Sequence, residues 1–207
     1  MAKFIVSTNE DKTLAERYVK QTLSDLTNNK ITKIRPYVFY KSSLYRIDLP
    51  SVTDIGTQAF GYCVNLETVN IPSVTTLGQQ VFTRCNKLSR IKIPKIRQIS
   101  RSTFHGCTSL KIVDLAEVAT FSDYSFYGTS GLEALILRTT EGVCVTDGTS
   151  VFGDSSLYSR GYIYVPSTMI DEYTASASWR YVTSRLRVLE DYTVDGTITG
   201  ELDETKI

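Results

Sequence analysis

Residues 55–74 read IGTQAFGYCVNLETVNIPSV, and residues 77–96 repeat the arrangement as LGQQVFTRCNKLSRIKIPKI. The same spacing of 22 residues separates four phenylalanines, Phe60, Phe82, Phe104 and Phe126. Four further apolar residues keep a constant distance from each phenylalanine. One lies five residues before it, and the others lie six, nine and eleven residues after it. Because a coil of this length cannot bury its own apolar face, the fixed period predicts a solenoid of stacked coils. Phe82 should lie in the core, and its neighbour Thr83 on the surface.

Each coil also contains a candidate strand. In the repeat at 55–74 the apolar residues Leu66, Val69 and Ile71 have the spacing L-x-x-V-x-I, and the last two alternate as in a half-buried strand. Each coil should therefore contribute one short parallel strand. The full pattern, I-G-x-x-x-F-x-x-C-x-x-L-x-x-V-x-I-P-x-V, resembles the BspA-like leucine-rich repeat family over roughly residues 34–190. The fold class predicted is an α/β repeat solenoid with coils of about 22 residues.

One column of the repeat departs from other leucine-rich repeats. Where those repeats carry an asparagine that bonds the loop backbone, this chain has Val52, Val74, Ile96 and Val118. The loop backbone must then find other partners or water. Four glycines should supply turn conformations that side chains resist. They are Gly56, Gly61, Gly78 and Gly106.

We divide the chain into four segments: residues 1–33, 34–166, 167–190 and 191–207. The first should hold a strand at 3–6 and a helix from about 10 to 28, acting as a cap on the first coil or as an attachment device. The second is the solenoid, which includes a longer loop at 138–149.

The third segment reads as a C-terminal cap. Ser167 can cap a helix through about Ala177, so both ends of the solenoid are predicted to carry helical caps. The fourth segment is an acidic tail, in which 193–197 could form a small hairpin. We expect this tail to be weakly ordered or to dock on a partner.

Composition excludes several classes of function. The 23 basic and 22 acidic side chains give a net charge of +1, so no global field favours nucleic acid or an anionic membrane. No apolar run reaches the 18 residues of a membrane span or the length of a signal peptide near Met1. The 42% hydrophobic content is enough for a core that folds without metal or cofactor.

The cysteines and the one histidine give little reason to expect catalysis. Cys63, Cys85 and Cys107 recur at the repeat period and should form a column of buried free thiols. Pairing between adjacent coils stays open, as does the state of Cys144. His105 would have to be the base of any Ser-His or Cys-His site, and no phosphate, dinucleotide or zinc-protease motif occurs. We therefore expect no enzyme and no metal site.

The outward residues of the strand column remain as the candidate ligand site, on the concave sheet face. This column is basic and polar at one end and apolar and aromatic at the other, a composition found in binding hot spots. The alternative is an ordinary solvated face. The column comprises Arg46, Asp48, Thr68, Asn70, Arg90, Lys92, Ile112, Asp114, Ala134, Ile136, Tyr162 and Tyr164.

The resemblance implies a non-catalytic phage virion or prophage appendage protein that recognises a protein or glycan on a host surface, or another virion subunit. The chain shows neither a secretion signal nor a wall-anchoring segment, which favours a virion protein made in the host cytoplasm. A bacterial surface adhesin and a purely structural decoration or connector protein are the alternatives. A homo-oligomer is compatible with each of these roles.

Overall fold

The computed structural model describes residues 25–146, 148, 150–191, 193–194 and 197–198. Through these residues the chain winds in successive coils. A coil contains one strand, a second shorter strand and a tight turn around the repeat phenylalanine. Stacking the coils produces three parallel features, which we call the main strand row, the second strand row and the turn row.

The main strand row contains the strands predicted from the L-x-x-V-x-I spacing. They are β1 (Asp25–Thr27), β3 (Arg46–Asp48), β5 (Thr68–Asn70), β7 (Arg90–Lys92), β9 (Ile112–Leu115), β11 (Ala134–Leu137), β13 (Tyr162–Val165) and β14 (Leu186–Val188). Paired neighbours are parallel, and equivalent repeat positions lie opposite each other, as Ile91 does to Val113. The inward residues of these strands are buried, which confirms the predicted register.

The second strand row was not predicted. It consists of two-residue strands: β2 (Lys33–Ile34), β4 (Asp54–Ile55), β6 (Thr76–Leu77), β8 (Gln98–Ile99), β10 (Thr120–Phe121) and β12 (Val145–Thr146). In the described part of the chain, both rows divide at one place. β5 is not paired with β7, and β6 is not paired with β8.

The turn row stacks six phenylalanine rings: Phe39, Phe60, Phe82, Phe104, Phe126 and Phe152. Neighbouring ring centroids lie 5.2, 5.8, 5.9, 5.4 and 5.7 Å apart, and the rings are nearly parallel. Backbone hydrogen bonds join the turns throughout, for example Phe60 N to Val81 O and Phe82 N to Thr103 O. We number the coils 1 to 6 by these rings.

The turns do not use glycine as predicted. Of the four glycines named above, only Gly106 has a positive φ. The left-handed positions two residues before and after each phenylalanine are mostly occupied by other residues, such as Gln58 and Tyr62. Gly56 is needed for a different reason, because a Cβ there would lie 2.4 Å from Pro36 N.

Three of the four cysteines form the predicted column. Cys63, Cys85 and Cys107 are buried and free, and each thiol donates to the carbonyl of the phenylalanine one coil earlier, at 3.0–3.2 Å. Cys144 is also buried and free. The column at Val52, Val74, Ile96 and Val118 is buried as well, so apolar packing replaces the asparagine ladder.

Two predictions near the core are wrong. Residues 25–27 are not the end of a helix, because β1 pairs in parallel with β3 and buries Leu26. The rest of the predicted N-terminal strand and helix lies outside the described residues. Thr83 is 2% exposed, and its hydroxyl lies 3.4 Å from His105 O, so it belongs to the packed turn row.

The C-terminal unit is less helical than predicted. Its α-helix, α1 (Ile170–Ala175), is short, and 3₁₀ turns occur at Ser156–Tyr158, Ser167–Met169, Ala177–Trp179, Thr183–Arg185 and Leu189–Asp191. Ser167 does not cap α1; its N–H and hydroxyl donate to the Glu190 carboxylate. Trp179 closes the core against Phe152, and its indole N–H donates to Cys144 O at 2.6 Å. The predicted hairpin is present as β15 (Thr193–Val194) antiparallel to β16 (Thr197–Ile198).

Candidate functional site

The predicted ligand column lies where the sequence placed it, on the outward side of the main strand row. Strand pairing brings its members together in order, with Arg46 opposite Thr68, Lys92 opposite Asp114, and Ile136 opposite Tyr164. Burial nevertheless differs strongly along the column. We divide it into an open section on β3, β5 and β7 and a covered section on β9, β11 and β13.

The covered section is not an accessible surface. Ile136 is 0% exposed, and Ala134 and Asp114 are 3% and 2% exposed. Leu189, which follows β14, packs with Ala134 and Ile136 in a small second apolar cluster. Half-buried Ile112 and Tyr164 pack against the same cluster. The expectation that Ile136 is an outward ligand anchor is therefore wrong, because the chain covers this part of the column itself.

Asp114 has a structural partner. Arg138, at the start of the longer loop, donates to both Asp114 carboxylate oxygens at 2.8 and 3.3 Å. A buried carboxylate requires such compensation, since an unpaired charge in this position would be strongly unfavourable. Asp114 thus joins the start of the longer loop to β9, and Arg138 occupies its carboxylate.

The aromatic end of the column is half-buried. The Arg187 guanidinium lies 4.3 Å from the Tyr162 ring centroid, and the Tyr162 and Tyr164 rings pack edge to face. Burial raises the pKa of the Tyr164 hydroxyl. Tyr162 and Tyr164 both keep partial exposure, so they remain the aromatic candidates beside the covered section.

The open section contains a groove at the place where the main strand row divides. Its volume is about 730 Å³, within the range of ligand sites. Thr68 and Asn70 line one wall, Arg90 and Lys92 line the other, and Arg46 lies beyond β5. The side chains of Thr68 and Asn70 are exposed.

Charges in the open section are largely compensated. Asp48 accepts from the Asn70 amide at 2.9 Å and lies 3.7 Å from Arg46. At the opposite end of the groove, Lys87 and Glu67 form an ion pair at 3.5 Å. The groove therefore offers hydrogen-bonding groups of both signs, which suits a polar partner with mixed donors and acceptors.

A second set of surface residues was missed. The turn row exposes a row of tyrosines and cations on a face that sequence reasoning did not consider. Tyr37 is 54% exposed, and Lys41 Nζ lies 5.2 and 5.7 Å from the Tyr40 and Tyr62 rings. The signal was present in the sequence, because each of these residues lies within two positions of a repeat phenylalanine.

Another exposed aromatic group lies at the C-terminal end. A groove of about 570 Å³ is lined by Tyr158 and Tyr181, which are 47% and 73% exposed. Arg180 stacks on Tyr181 at 4.6 Å from its ring centroid. This groove combines an apolar floor with one cation.

Burial shifts the pKa of the four cysteine thiols and of the one histidine. Burial raises the pKa of all four thiols, that of Cys107 to about 12, so they stay protonated at neutral pH. Burial and the nearby Arg84 lower the pKa of His105, which stacks on Tyr127. Within the described ranges, no group of His, Cys, Asp or Glu is placed to hold a metal ion. Those ranges also contain no helix with the length and apolar character of a membrane span.

A sequence model of the BspA type leucine rich repeat region matches residues 25–157 in six copies. The chain belongs to the BspA-type leucine-rich repeat family. This match begins at β1, in agreement with the extra strand found before coil 1. No curated protein matches the chain. Leucine-rich repeats are generally a non-catalytic binding or scaffold fold, and the stacked coils provide the extended surface for such a role.

Solved structures with the same repeats come from several bacteria. A leucine rich cell surface protein from Faecalibacterium prausnitzii A2-165 has a TM-score of 0.54 at 23% identity, over 78% of this chain and 52% of its own. The BspA-type chain thus spans about half the length of that protein. The Treponema pallidum leucine rich repeat protein has a TM-score of 0.47 at 25% identity, over 60% of this chain and 70% of its own. A leucine-rich repeat protein from Bacteroides ovatus ATCC 8483 has a TM-score of 0.42 at 18% identity, over 80% of this chain and 54% of its own.

Proposed function

We propose that this BspA-type protein is a non-catalytic recognition module that binds a protein or glycan on a host surface through the open section of its main strand row. The observation that carries the proposal is the groove of about 730 Å³ between β5 and β7. It is the part of the predicted ligand column that no other segment of the described residues covers.

The chemistry of the groove supports a polar partner. Thr68 and Asn70 present hydroxyl and amide groups, and Arg90 and Lys92 present cations from the facing wall. Val69 contributes a small apolar floor. Affinity in such a site comes from a few well-placed polar groups, with charge acting mainly on the encounter rate.

We further propose that the module belongs to a phage virion or prophage appendage. A second candidate is an adhesin on a bacterial cell surface, and the fold likeness to the F. prausnitzii cell surface protein supports it. In both cases the ligand is met outside the cell that makes the protein. A purely structural decoration or connector protein would instead contact other subunits of its assembly.

Binding of the purified, labelled chain to intact bacterial cells tests the recognition role. The variants Arg46→Ala and Asn70→Ala should each weaken binding by about 1–2 kcal/mol, as loss of an important interface side chain does. Arg97→Ala is the matched control, since Arg97 is 72% exposed and precedes β8 in the second strand row. Thermal midpoints of all three should stay within about 1–2 °C of the parent, because exposed substitutions rarely affect stability.

Two treatments of the cells identify the ligand class. Binding lost after protease treatment indicates a protein ligand, and binding lost after periodate oxidation indicates a glycan. Immunogold labelling of the producing culture then separates phage particles from cell envelopes. If the chain labels particles, binds no cells and tolerates both groove variants, the recognition role is wrong and the structural role replaces it.

A further inference from the structure

The turn-row face of coils 1 to 4 has a charge composition unlike the rest of the molecule. No acidic residue occurs in the four turn segments 35–41, 56–62, 78–84 and 100–106. They carry four exposed cations, which are Arg35, Lys41, Arg84 and Arg101. Acidic residues return only in coils 5 and 6, with Asp123 and Asp154. The first four coils therefore present a basic strip on a chain whose net charge is only +1.

Three of these four cations are not neutralised by neighbouring carboxylates in the described part of the chain. Among the described residues, Lys41, Arg84 and Arg101 make no ion pair. In contrast, Arg46 and Lys87 beside the main-row groove both lie within 4 Å of a carboxylate. An anionic ligand at the turn row would thus meet cations that no carboxylate of the described residues already neutralises.

Aromatic and amide groups lie between the cations on the same face. Tyr37, Tyr40 and Tyr62 form consecutive edge-to-face pairs with centroids 6.0 and 5.5 Å apart. Gln58 and Gln80 join the next two coils, with the Gln58 amide donating to the Gln80 carbonyl at 2.6 Å. The face is therefore continuous from one coil to the next.

Contacts also fix the positions of these side chains. Lys41 lies over both Tyr40 and Tyr62, and Gly61 lets the Tyr40 ring approach the backbone, since a Cβ there would lie 3.2 Å from the ring. Lys41 and Arg84 occupy the same repeat position two coils apart. At the spacing of adjacent strands, the two backbone positions are about 10 Å apart. A ligand whose anionic groups recur at about this spacing would meet both Lys41 and Arg84.

We propose that the turn-row face of coils 1 to 4 is a second binding site, separate from the main-row groove, and that its ligand is an anionic polysaccharide bearing carboxylate or sulfate groups. Lys41, Arg84 and Arg101 bind the anionic groups. The tyrosine hydroxyls and glutamine amides donate to sugar oxygens.

The arrangement of the tyrosines favours a polysaccharide over nucleic acid. Single-stranded nucleic acids bind by stacking bases on free aromatic faces. Here the rings pair edge to face, and Lys41 already lies over two of them. The strip is also short, because the acidic residues of coils 5 and 6 interrupt it.

Affinity electrophoresis of the purified chain tests the proposal with four probes. Polygalacturonate supplies carboxylates, dextran sulfate supplies sulfates, neutral dextran is the uncharged control, and poly(dT) represents nucleic acid. We expect retardation by one or both anionic polysaccharides and none by neutral dextran. Retardation should weaken as salt rises from 50 to about 300 mM, since exposed charges are screened.

The test variant is Lys41→Gln/Arg84→Gln/Arg101→Gln. Its matched control is Lys95→Gln/Arg97→Gln/Lys111→Gln, which removes the same charge from exposed positions outside the turn row. The test variant should bind at least tenfold more weakly, and the control less than threefold. Circular dichroism and the thermal midpoint must match the parent in both.

Each other outcome overturns the proposal. Equal losses in the two triple variants would mean that only net charge matters, and stronger retardation by poly(dT) would indicate nucleic acid. Either of these results would leave the proposed recognition role of the groove intact, because both triple variants keep Arg46 and Asn70. Loss of cell binding in the groove variants with normal polysaccharide binding would in turn leave the turn-row site intact.

Discussion

Replacing one ring of the phenylalanine stack gives the most direct test of how the coils are held together. Phe82 is 0% exposed and lies between Phe60 and Phe104, with centroids 5.8 and 5.9 Å away. Phe82→Ala removes both ring contacts and leaves a gap in the middle of the array. Backbone hydrogen bonds hold the neighbouring turns at their spacing, so they cannot close on the gap.

The expected cost is large for a single substitution. Truncation of a buried phenylalanine to alanine typically lowers the free energy of unfolding by about 3–5 kcal/mol, and a rigid surrounding keeps the value near the upper end. For a domain of this size each kcal/mol corresponds to about 2–4 °C in the midpoint, which predicts a decrease of about 6–20 °C.

Denaturant and thermal melts followed by circular dichroism measure the effect. Lys95→Ala is the control, because Lys95 is exposed and should change stability by less than about 0.5 kcal/mol. A cost below about 1 kcal/mol for Phe82→Ala, or equal costs for the two variants, would refute the stacked core.

Two further predictions concern buried polar groups. In the native state the repeat thiols should react slowly with iodoacetamide, and mass spectrometry should find them labelled only after unfolding. Because burial raises the pKa of Cys107 from 9.0 to about 12, unfolded thiols ionise before folded ones. Their contribution to stability is therefore complete below about pH 9 and declines as pH rises toward 12, and Cys107→Ala should reduce this alkaline loss. Arg138→Ala should lower the free energy of unfolding by about 3 kcal/mol, since it leaves Asp114 buried and unpaired. Lys111→Ala, which removes an exposed ion pair with Glu133, should cost less than about 1 kcal/mol. Equal costs in urea melts would contradict the assigned role of Asp114.

The inward register could be predicted from sequence because the period is strict. Each repeat places its phenylalanine, cysteine and strand residues at the same interval, so one correct assignment fixes all coils. The same logic could have found β1. Leu26 precedes Ile47 by 21 residues, the interval that also separates Phe39 from Phe60. Helical spacing in residues 14–26 instead favoured a helix.

The covering of the outer face depends on tertiary contacts that the repeat does not encode. Leu189 lies beyond the last coil, and nothing in the period links it to Ile136. One local signal existed, because β11 is a continuous apolar run, typical of a strand buried on both faces. For Asp114 no such signal existed, since a carboxylate in an outward position ordinarily indicates exposure.

The division of both strand rows has a mechanical consequence. Coils 2 and 3 are joined by backbone hydrogen bonds at the turn row, as from Phe60 N to Val81 O, but not by strand pairing on the other two sides. The apolar core continues across this joint, from Ile71 to Ile93, but fewer backbone hydrogen bonds oppose bending here than between other coils. Bending at this joint would change the width of the groove between β5 and β7 and the angle between the two ends of the array. We therefore expect a ligand held in the groove to stiffen the described part of the array at this joint.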